Sequence, residues 1–345
     1  MASTTITNAR AVVDGTVKPC NLKLVDGKIK GIMPAGDTYG KTYDAKNHLV
    51  LPGFIDIHTH GDSGVDFNHA DCGAILAARD SLAAQGITTF LPTIYTDTEE
   101  CMLRAVLSVV KAKTAMECDQ ICGINLEGPF LAASHRGSTP EELLQPCSHP
   151  LFKRLQDASG GNIRLTTISP ELPDAAVLIR KLSIEGVRIS LGHTSASYNQ
   201  GVAAIEAGAI SCTHFGHRMS TITPLSPTVT SALLESDGYC EVICDPDLLH
   251  PALLRLLLKV KGLHRMVAET NSLTTPSQML RYIVDATELP LPKAITLLTE
   301  NPAKLLGIYH AKGSLDVGKD ADFTVLDDSY NVLATFSGGE MIFGQ

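Results

Sequence analysis

The chain has 345 residues, room for one domain of roughly 250 residues plus a small companion, and its 44% hydrophobic, 19% charged composition predicts a large buried core. The net charge of −9 comes from 28 basic and 37 acidic residues with neither sign in a long run, which argues against a nucleic-acid-binding surface. No apolar stretch approaches the roughly 20 residues that span a bilayer, and the opening MASTTITNARAVVDG lacks the basic start and apolar stretch of a secretory signal. The nine cysteines are an odd number with no CxxC pair; Cys118/Cys122 and Cys240/Cys244 are merely four apart. They are expected as reduced thiols in a cytoplasmic protein.

The first fifty residues read as short strands, TITNARAVV, NLKLVDGKIKGI and YDAKNHLVL. Asp26-Gly27, set between two apolar runs, predicts a tight hairpin. From Leu51 to about Leu306 the pattern changes to eight short apolar runs: LPGFIDIHTH, GITTFLPTIYT, ICGINLEGPFL, IRLTTISPE, VRISLGHTS, AISCTHFG, YCEVICDP and HRMVAET. Amphipathic stretches such as CGAILAARDSLAAQ, EECMLRAVLSVVKAK, DAAVLIRKLSIE and YNQGVAAIEAG lie between them. Apolar strands alternating with helices indicate a parallel sheet. Eight such units point to a closed (β/α)8 barrel over 51–307, with a doubly wound open sheet as the rival; the missing GxGxxG after the first strand counts against the rival. PSQMLRYIVDATELPLPKAITLLTENPAKLLGI reads as two closing helices. DADFTVLD and NVLATFSGGEMIFG then resemble the opening strands, so residues 1–50 and 308–345 are expected to pair into one small β domain.

Polar residues interrupt these apolar runs at their C-terminal ends, the face on which barrel active sites are built. His58 and His60 are two apart in a strand, so both imidazoles face the same way. Glu127 ends the third strand, His193 the fifth and His214 the sixth. A lone histidine at a strand end is usually structural. Five such residues at one end of successive strands instead predict a metal site, with Zn, Fe, Ni and Mn all open.

The runs LPGFIDIHTHGDSGVDF, INLEGPFLAASHRGS, SLGHTSASYNQGVAAIEAGAISCTH and NPAKLLGI…GSLDVGKDADFTVLD resemble the N-acetylglucosamine-6-phosphate deacetylase family of the amidohydrolase superfamily over nearly the whole chain. The resemblance implies an α/β TIM barrel with a composite β-sandwich built from both chain ends. It implies Glu127, His193 and His214 as ligands of the main metal, with His58 and His60 available for a second ion, and a homodimer. The implied activity is removal of the acetyl group from an N-acetylated amino sugar, the 6-phosphate above all.

The chain departs from the family where substrate binds. The catalytic aspartate aligns with Glu269 in MVAETNSLT, and the loop that follows is shortened. His217 and Arg218 stand where the family has Asn-Ala, Leu225 replaces an arginine, Leu248 a substrate-contacting histidine, and Asn125 the histidine before the LEGP motif. The expectation is that Glu269 moves the proton and His217 orients the substrate. His217, Arg218 and Asn125 are expected to touch substrate, Arg218 reading phosphate or else serving as a surface residue. Two further readings stand beside deacetylation: hydrolysis of another N-acyl or cyclic amide, and an inert sugar-phosphate-binding relative.

Overall fold

The computed structural model describes residues 3–34, 36–115 and 119–344. The first strands are β1 (Ser3–Val13), β2 (Thr16–Val25), β3 (Lys28–Met33), β4 (Lys41–Asp44) and β5 (Leu49–Pro52). Asp26 and Gly27 turn the chain between β2 and β3 with φ of 49° and 73°, the all-positive turn that suits a two-residue hairpin. Asp14-Gly15 does the same between β1 and β2. The last strands, β14 (Phe323–Leu326), β15 (Val332–Ser337) and β16 (Glu340–Phe343), join them: the sheet runs β16-β15-β14-β5-β1-β2-β3, with β4 beside β1. Its junction is antiparallel, Pro52 opposite Phe323 and Leu49 opposite Leu326. The composite β domain is thus made from both chain ends.

Period-two alternation lets this sheet serve two cores. Val50, Ala9 and Ala11 point into the sheet's own core with Leu22, Ile29, Phe323 and Phe336. Leu49, Leu51 and Val12 point the other way and pack with the barrel. Thr335 Oγ1 on β15 also donates to the Ala83 carbonyl, 2.7 Å away.

The second sheet has the strand order of the sequence: β6 (Phe54–Thr59), β7 (Ile87–Tyr95), β8 (Ile124–Glu127), β9 (Ile163–Ile168), β10 (Arg188–Leu191), β11 (Ser211–Cys212), β12 (Tyr239–Val242) and β13 (Met266–Ala268). All neighbours are parallel. A doubly wound sheet would reverse direction at a switch point, and none occurs here. Past β13 the chain returns to β6: Asn271 N–H donates to the His58 carbonyl at 2.9 Å, and Thr270 Oγ1 to Asp56 Oδ2 at 2.6 Å. The barrel closes there through side chains and one backbone bond.

Helices α1 (Cys72–Ala84), α2 (Glu99–Ala115), α3 (His149–Ala158), α4 (Ala175–Ile184), α5 (Tyr198–Ala207), α6 (Val229–Glu235), α7 (Pro251–Lys261) and α8 (Pro276–Thr287) lie outside the strands. Their starts are chemically marked. Asp71 caps α1, while Ser197 with Gln200 and Thr275 with Gln278 form capping boxes on α5 and α8. The expected second closing helix is instead broken into α9 (Leu291–Ala294), a 3-10 turn (Ile295–Leu298) and α10 (Glu300–Leu306). Pro302 has no N–H to give back to the preceding turn, so the helix restarts at Thr299. Among the described residues no helix is long and apolar enough to cross a membrane. The eight described cysteines are free thiols, and Cys118 lies outside the described residues.

Candidate metal centre and substrate cleft

The C-terminal ends of β6, β8, β10 and β11 bring five side chains together. His58 and His60, on one face of β6, place their Nε2 atoms 3.3 Å apart. Glu127, the last residue of β8, sits between them and the other two histidines. Its Oε1 is 3.0 Å from His193 Nε2, 3.1 Å from His214 Nε2 and 3.6 Å from His58 Nε2, and its Oε2 is 3.5 Å from His60 Nε2.

His193 and His214 each lie two residues beyond their strands in left-handed backbone, at φ of 49° and 31°. Such conformations cost about 1–3 kcal/mol each and persist where surrounding structure enforces them. Gly192 is part of that enforcement, since a Cβ there would meet Thr213 Cγ2 at 2.4 Å. Glu171 anchors the segment after His193 by accepting from Ser195 N–H at 2.6 Å and from Thr194 Oγ1.

The remaining ring nitrogens are also held. His193 Nδ1 lies 3.0 Å from the His135 carbonyl, His214 Nδ1 3.3 Å from the His217 carbonyl, and His58 Nδ1 3.0 Å from Thr213 Oγ1. Partners of this kind fix the tautomer that presents Nε2 to a metal.

Burial drives the electrostatics. It would raise the Glu127 carboxyl, but His58, His193 and His214 outweigh it and hold Glu127 well below the usual carboxylate range. Burial would likewise lower His58, yet Glu269 and Glu127 raise it well above the ordinary imidazole value. His60 is pushed down to about 4, chiefly by burial. His214 is lowered for the same first reason.

The geometry accepts a divalent cation. A tetrahedral shell with about 2.1 Å bonds has ligand-to-ligand edges of about 3.4 Å. The nitrogen and oxygen separations here, 3.0–3.6 Å, bracket that edge. Two overlapping triads share Glu127: His58 with His60, and His193 with His214.

The matching family model, described as the amidohydrolase family, covers residues 49–342. The chain belongs to the amidohydrolase family. Within it, this amidohydrolase is 30% identical to the N-acetylglucosamine-6-phosphate deacetylase of Bacillus subtilis, over 92% of this chain and 91% of that one. The crystal structure of N-acetylglucosamine-6-phosphate deacetylase from Pasteurella multocida superposes with a TM-score of 0.92 at 27% identity, covering 98% of this chain and 99% of that one. A mutant of the Mycobacterium smegmatis enzyme, solved in complex with N-acetyl-D-glucosamine-6-phosphate, matches with a TM-score of 0.90 at 27% identity, over 99% of each chain. The chain is therefore a hydrolase of amide bonds, and its family uses a divalent metal.

Above the cluster the amidohydrolase has a cleft of about 960 Å³, lined by His60, Glu127, His193 and His214 at its floor. His217 and Arg218 are on its wall, as expected. His217 is held below the ordinary imidazole value by burial first and by His214 next. Arg218, in left-handed backbone at φ of 53°, lies so close over Gly137 that a Cβ there would be 3.1 Å from its Nε. Leu143, Ile243, Leu248 and Leu273 make the apolar part of the wall, while Leu225 is almost fully exposed and outside the cleft lining.

Two residues do not stand where the sequence reading put them. Asn125 is not brought to the cleft. It lies one pleat below Glu127, buried, and its amide donates to the Ile57 carbonyl at 3.0 Å, so it braces the first barrel strand. Glu269 is fully buried and absent from the cleft lining. Its Oε1 accepts from the His214 backbone N–H at 2.9 Å, and its Oε2 lies 3.4 Å from His58 Nδ1, on the side of that ring away from Glu127. The extra methylene lets the carboxyl sink beneath the cluster.

The sequence reading missed Glu241 on β12, which is completely buried beside Glu269 and His58. The available signal was a glutamate inside YCEVICDP, a strand otherwise apolar on both faces. Asp56 in FIDIHTH carried the same signal, and the structure assigns it to barrel closure.

Proposed function

We propose that this amidohydrolase removes the acetyl group of an N-acetylated amino sugar, N-acetylglucosamine-6-phosphate above all, releasing the free amine and acetate. The observation that carries the proposal is the convergence of three imidazoles and one carboxylate on the floor of a cleft whose wall holds Arg218, with His58 buried against them. Relatives acting on that sugar phosphate cover nearly the whole chain, which supports the substrate.

We assign the metal to zinc, as one or two ions. Glu127, His193 and His214 would hold the main ion, with His58 and His60 offering a second position. When bound, such an ion supplies an activated water and polarises the acyl oxygen. His217, held neutral by burial, is suited to hydrogen-bond the sugar or the acyl oxygen and not to pair with a charge. Arg218 offers the planar fork that matches a phosphate group. The eight free thiols support a cytoplasmic setting. A homodimer follows from the family reading, and light scattering tests it.

For the proton shuttle we assign Glu269, whose Oε2 has no donor among its neighbours. Reaching the cleft requires that oxygen to pass the His58 ring. Glu269→Gln is expected to keep its metal and lose turnover by about 10²–10⁴-fold, the usual contribution of a positioned acid or base. If metal content and turnover fell together, Glu269 would instead be the group that orients His58.

The defining experiment measures amine release from N-acetylglucosamine-6-phosphate and from N-acetylglucosamine by the zinc-supplemented protein. Fast turnover of the phosphorylated sugar alone is expected. No release from either would refute the proposal. The leucines of the cleft wall favour a second reading, hydrolysis of an amine carrying a larger apolar acyl group, which would show as faster release from such a substrate.

A further inference from the structure

Three of the four clustered histidines have their outer nitrogen held, His58 by Thr213, His193 by the His135 carbonyl and His214 by the His217 carbonyl. His60 is the exception. Its Nδ1 is buried without a hydrogen-bond partner among the described residues, although the Asn271 side chain comes near the ring. It is also the most open of the four, with 25% of its side chain exposed against 10% or less for the others. Rotation of an imidazole about its outer torsion is soft. With nothing on Nδ1, packing has to set that torsion.

The group packed there is Tyr95, the last residue of β7. Its ring meets the His60 imidazole edge to face, with centroids 5.9 Å apart and 62° between the planes. That is the separation and tilt aromatic pairs prefer. Tyr95 is itself fixed at three points by the loop that follows His60. Its hydroxyl donates to Asp66 Oδ2 at 2.8 Å, its backbone N–H donates to Asn68 Oδ1 at 2.9 Å, and its carbonyl accepts from Asn68 Nδ2 at 3.0 Å. The buried Asn68 amide thus pairs with Tyr95 as a further strand would. The loop is anchored in turn: the Phe67 N–H donates to the His60 carbonyl at 2.9 Å, and the Phe67 ring stacks on Phe90.

We propose that Tyr95 is the positioning residue for the second metal position: clamped by Asp66 and Asn68, its ring holds the His60 imidazole with Nε2 turned toward His58 and Glu127. The main position, formed by Glu127, His193 and His214, does not depend on it. Removing a hydrogen-bonded outer partner commonly costs about 10–100-fold in metal affinity. An aromatic contact is a weaker tether, so about 3–10-fold is expected here. The proposal rests on the metal reading of the cluster and not on the sugar-phosphate substrate.

The test is a cobalt(II) titration of the chelator-stripped protein, read by visible absorption, for the parent, Tyr95→Phe and Tyr95→Leu. The parent is expected to take two equivalents. Tyr95→Leu fills part of the space without a ring, and should bind the second equivalent about 3–10-fold more weakly while binding the first as the parent does. Tyr95→Phe keeps the ring and should stay within about twofold of the parent at both positions. A second equivalent unchanged in Tyr95→Leu, equal weakening of both equivalents, or equal damage in Tyr95→Phe would overturn the proposal. So would a parent that takes a single equivalent. Asn271→Ala tests the rival contact: if it weakens the second equivalent and Tyr95→Leu does not, Asn271 sets the ring and the proposal falls. Should Tyr95→Leu not fold, Tyr95→Met carries the same test, a weaker second equivalent supporting the proposal and an unchanged one refuting it. A parent that takes no cobalt refutes the metal reading and the proposal with it. A parent that takes two equivalents but releases no amine refutes the deacetylase reading alone and leaves the Tyr95 result intact.

Discussion

In the sheet made from the two chain ends, several buried polar groups find partners, though Ser3 Oγ does not. Lys312, nearly buried, lies 3.3 Å from Asp320 Oδ2 and against Asp322. Asn21 accepts from the Asn8 N–H at 3.0 Å and donates to the Asp37 carbonyl at 2.8 Å. In the barrel, partnered groups such as Asp56 with Thr270 stand beside orphaned ones. Asn125 Oδ1, Thr167 Oγ1, Glu241 Oε2 and Glu269 Oε2 are all buried without a partner, and all lie on strands or strand ends that lead to the cluster. Leaving such groups unmatched costs about 1–3 kcal/mol each. Around the cluster these unmatched acceptors leave an electrostatic deficit that a cation and a substrate can offset.

The sharpest way to break this contrast is at Glu127. Its carboxylate lies within 3.6 Å of all four converging imidazoles, so Glu127→Ala is expected to lose its metal and to lower turnover by more than about 10³-fold. Elemental analysis after gel filtration, together with amine release, checks both. Full metal occupancy in that variant would show that the histidines suffice.

The matching experiment in the sheet is Lys312→Met. It leaves Asp322 buried beside no cation, and is expected to cost about 3–5 kcal/mol in denaturant unfolding while metal content stays at parent level. Asp322 and Asp320 raise Lys312 against the lowering effect of its burial, which shows that the folded protein favours the charged lysine. A loss of metal in this variant would mean that the two regions are not independent.

The smallest expected effect is a difference in pH dependence, read in the chelator-treated protein. Glu241 sits at about 8 against an ordinary value of 4.5, so the folded state binds the extra proton between those limits. Its stabilisation is present below about 4.5 and is lost as pH rises through 8. Glu127, held far below 4.5, acts in the opposite sense: its stabilisation is present above 4.5 and lost as pH falls. Glu241→Gln should flatten only the alkaline side of the stability profile. An unchanged alkaline side would remove the proton from Glu241.

Much of this was legible in the residues. Eight apolar runs became eight strands in one sheet, because continuous apolar runs of that length bury on both faces only in a parallel sheet. His58, His60, Glu127, His193 and His214 could be grouped from their place at strand ends alone, and the structure gathers all five. Depth was not legible. Asn125 and Glu127 share a face of β8, but only coordinates show that one pleat separates the cleft from the barrel interior. Glu269 was placed by alignment with a shorter acid, and its extra methylene carries it below the cleft. Glu241 drew no assignment, although a charge within an otherwise apolar strand was there to be seen. The break in the last helix depended on Pro302, whose effect on the preceding turn was visible but unweighed.

The pairing of β5 with β14 also has a consequence for biogenesis. Leu49–Pro52 emerges from the ribosome early, and its partner Phe323–Leu326 comes only when translation is nearly done. At about 5–20 residues per second, one edge of β5 waits roughly ten seconds to a minute for its partner. An exposed strand edge in a nascent chain is a template for pairing with neighbours. Messages truncated before Phe323 should therefore yield aggregates even when the barrel sequence is whole, and expression should respond to chaperone supply more than the finished fold would imply.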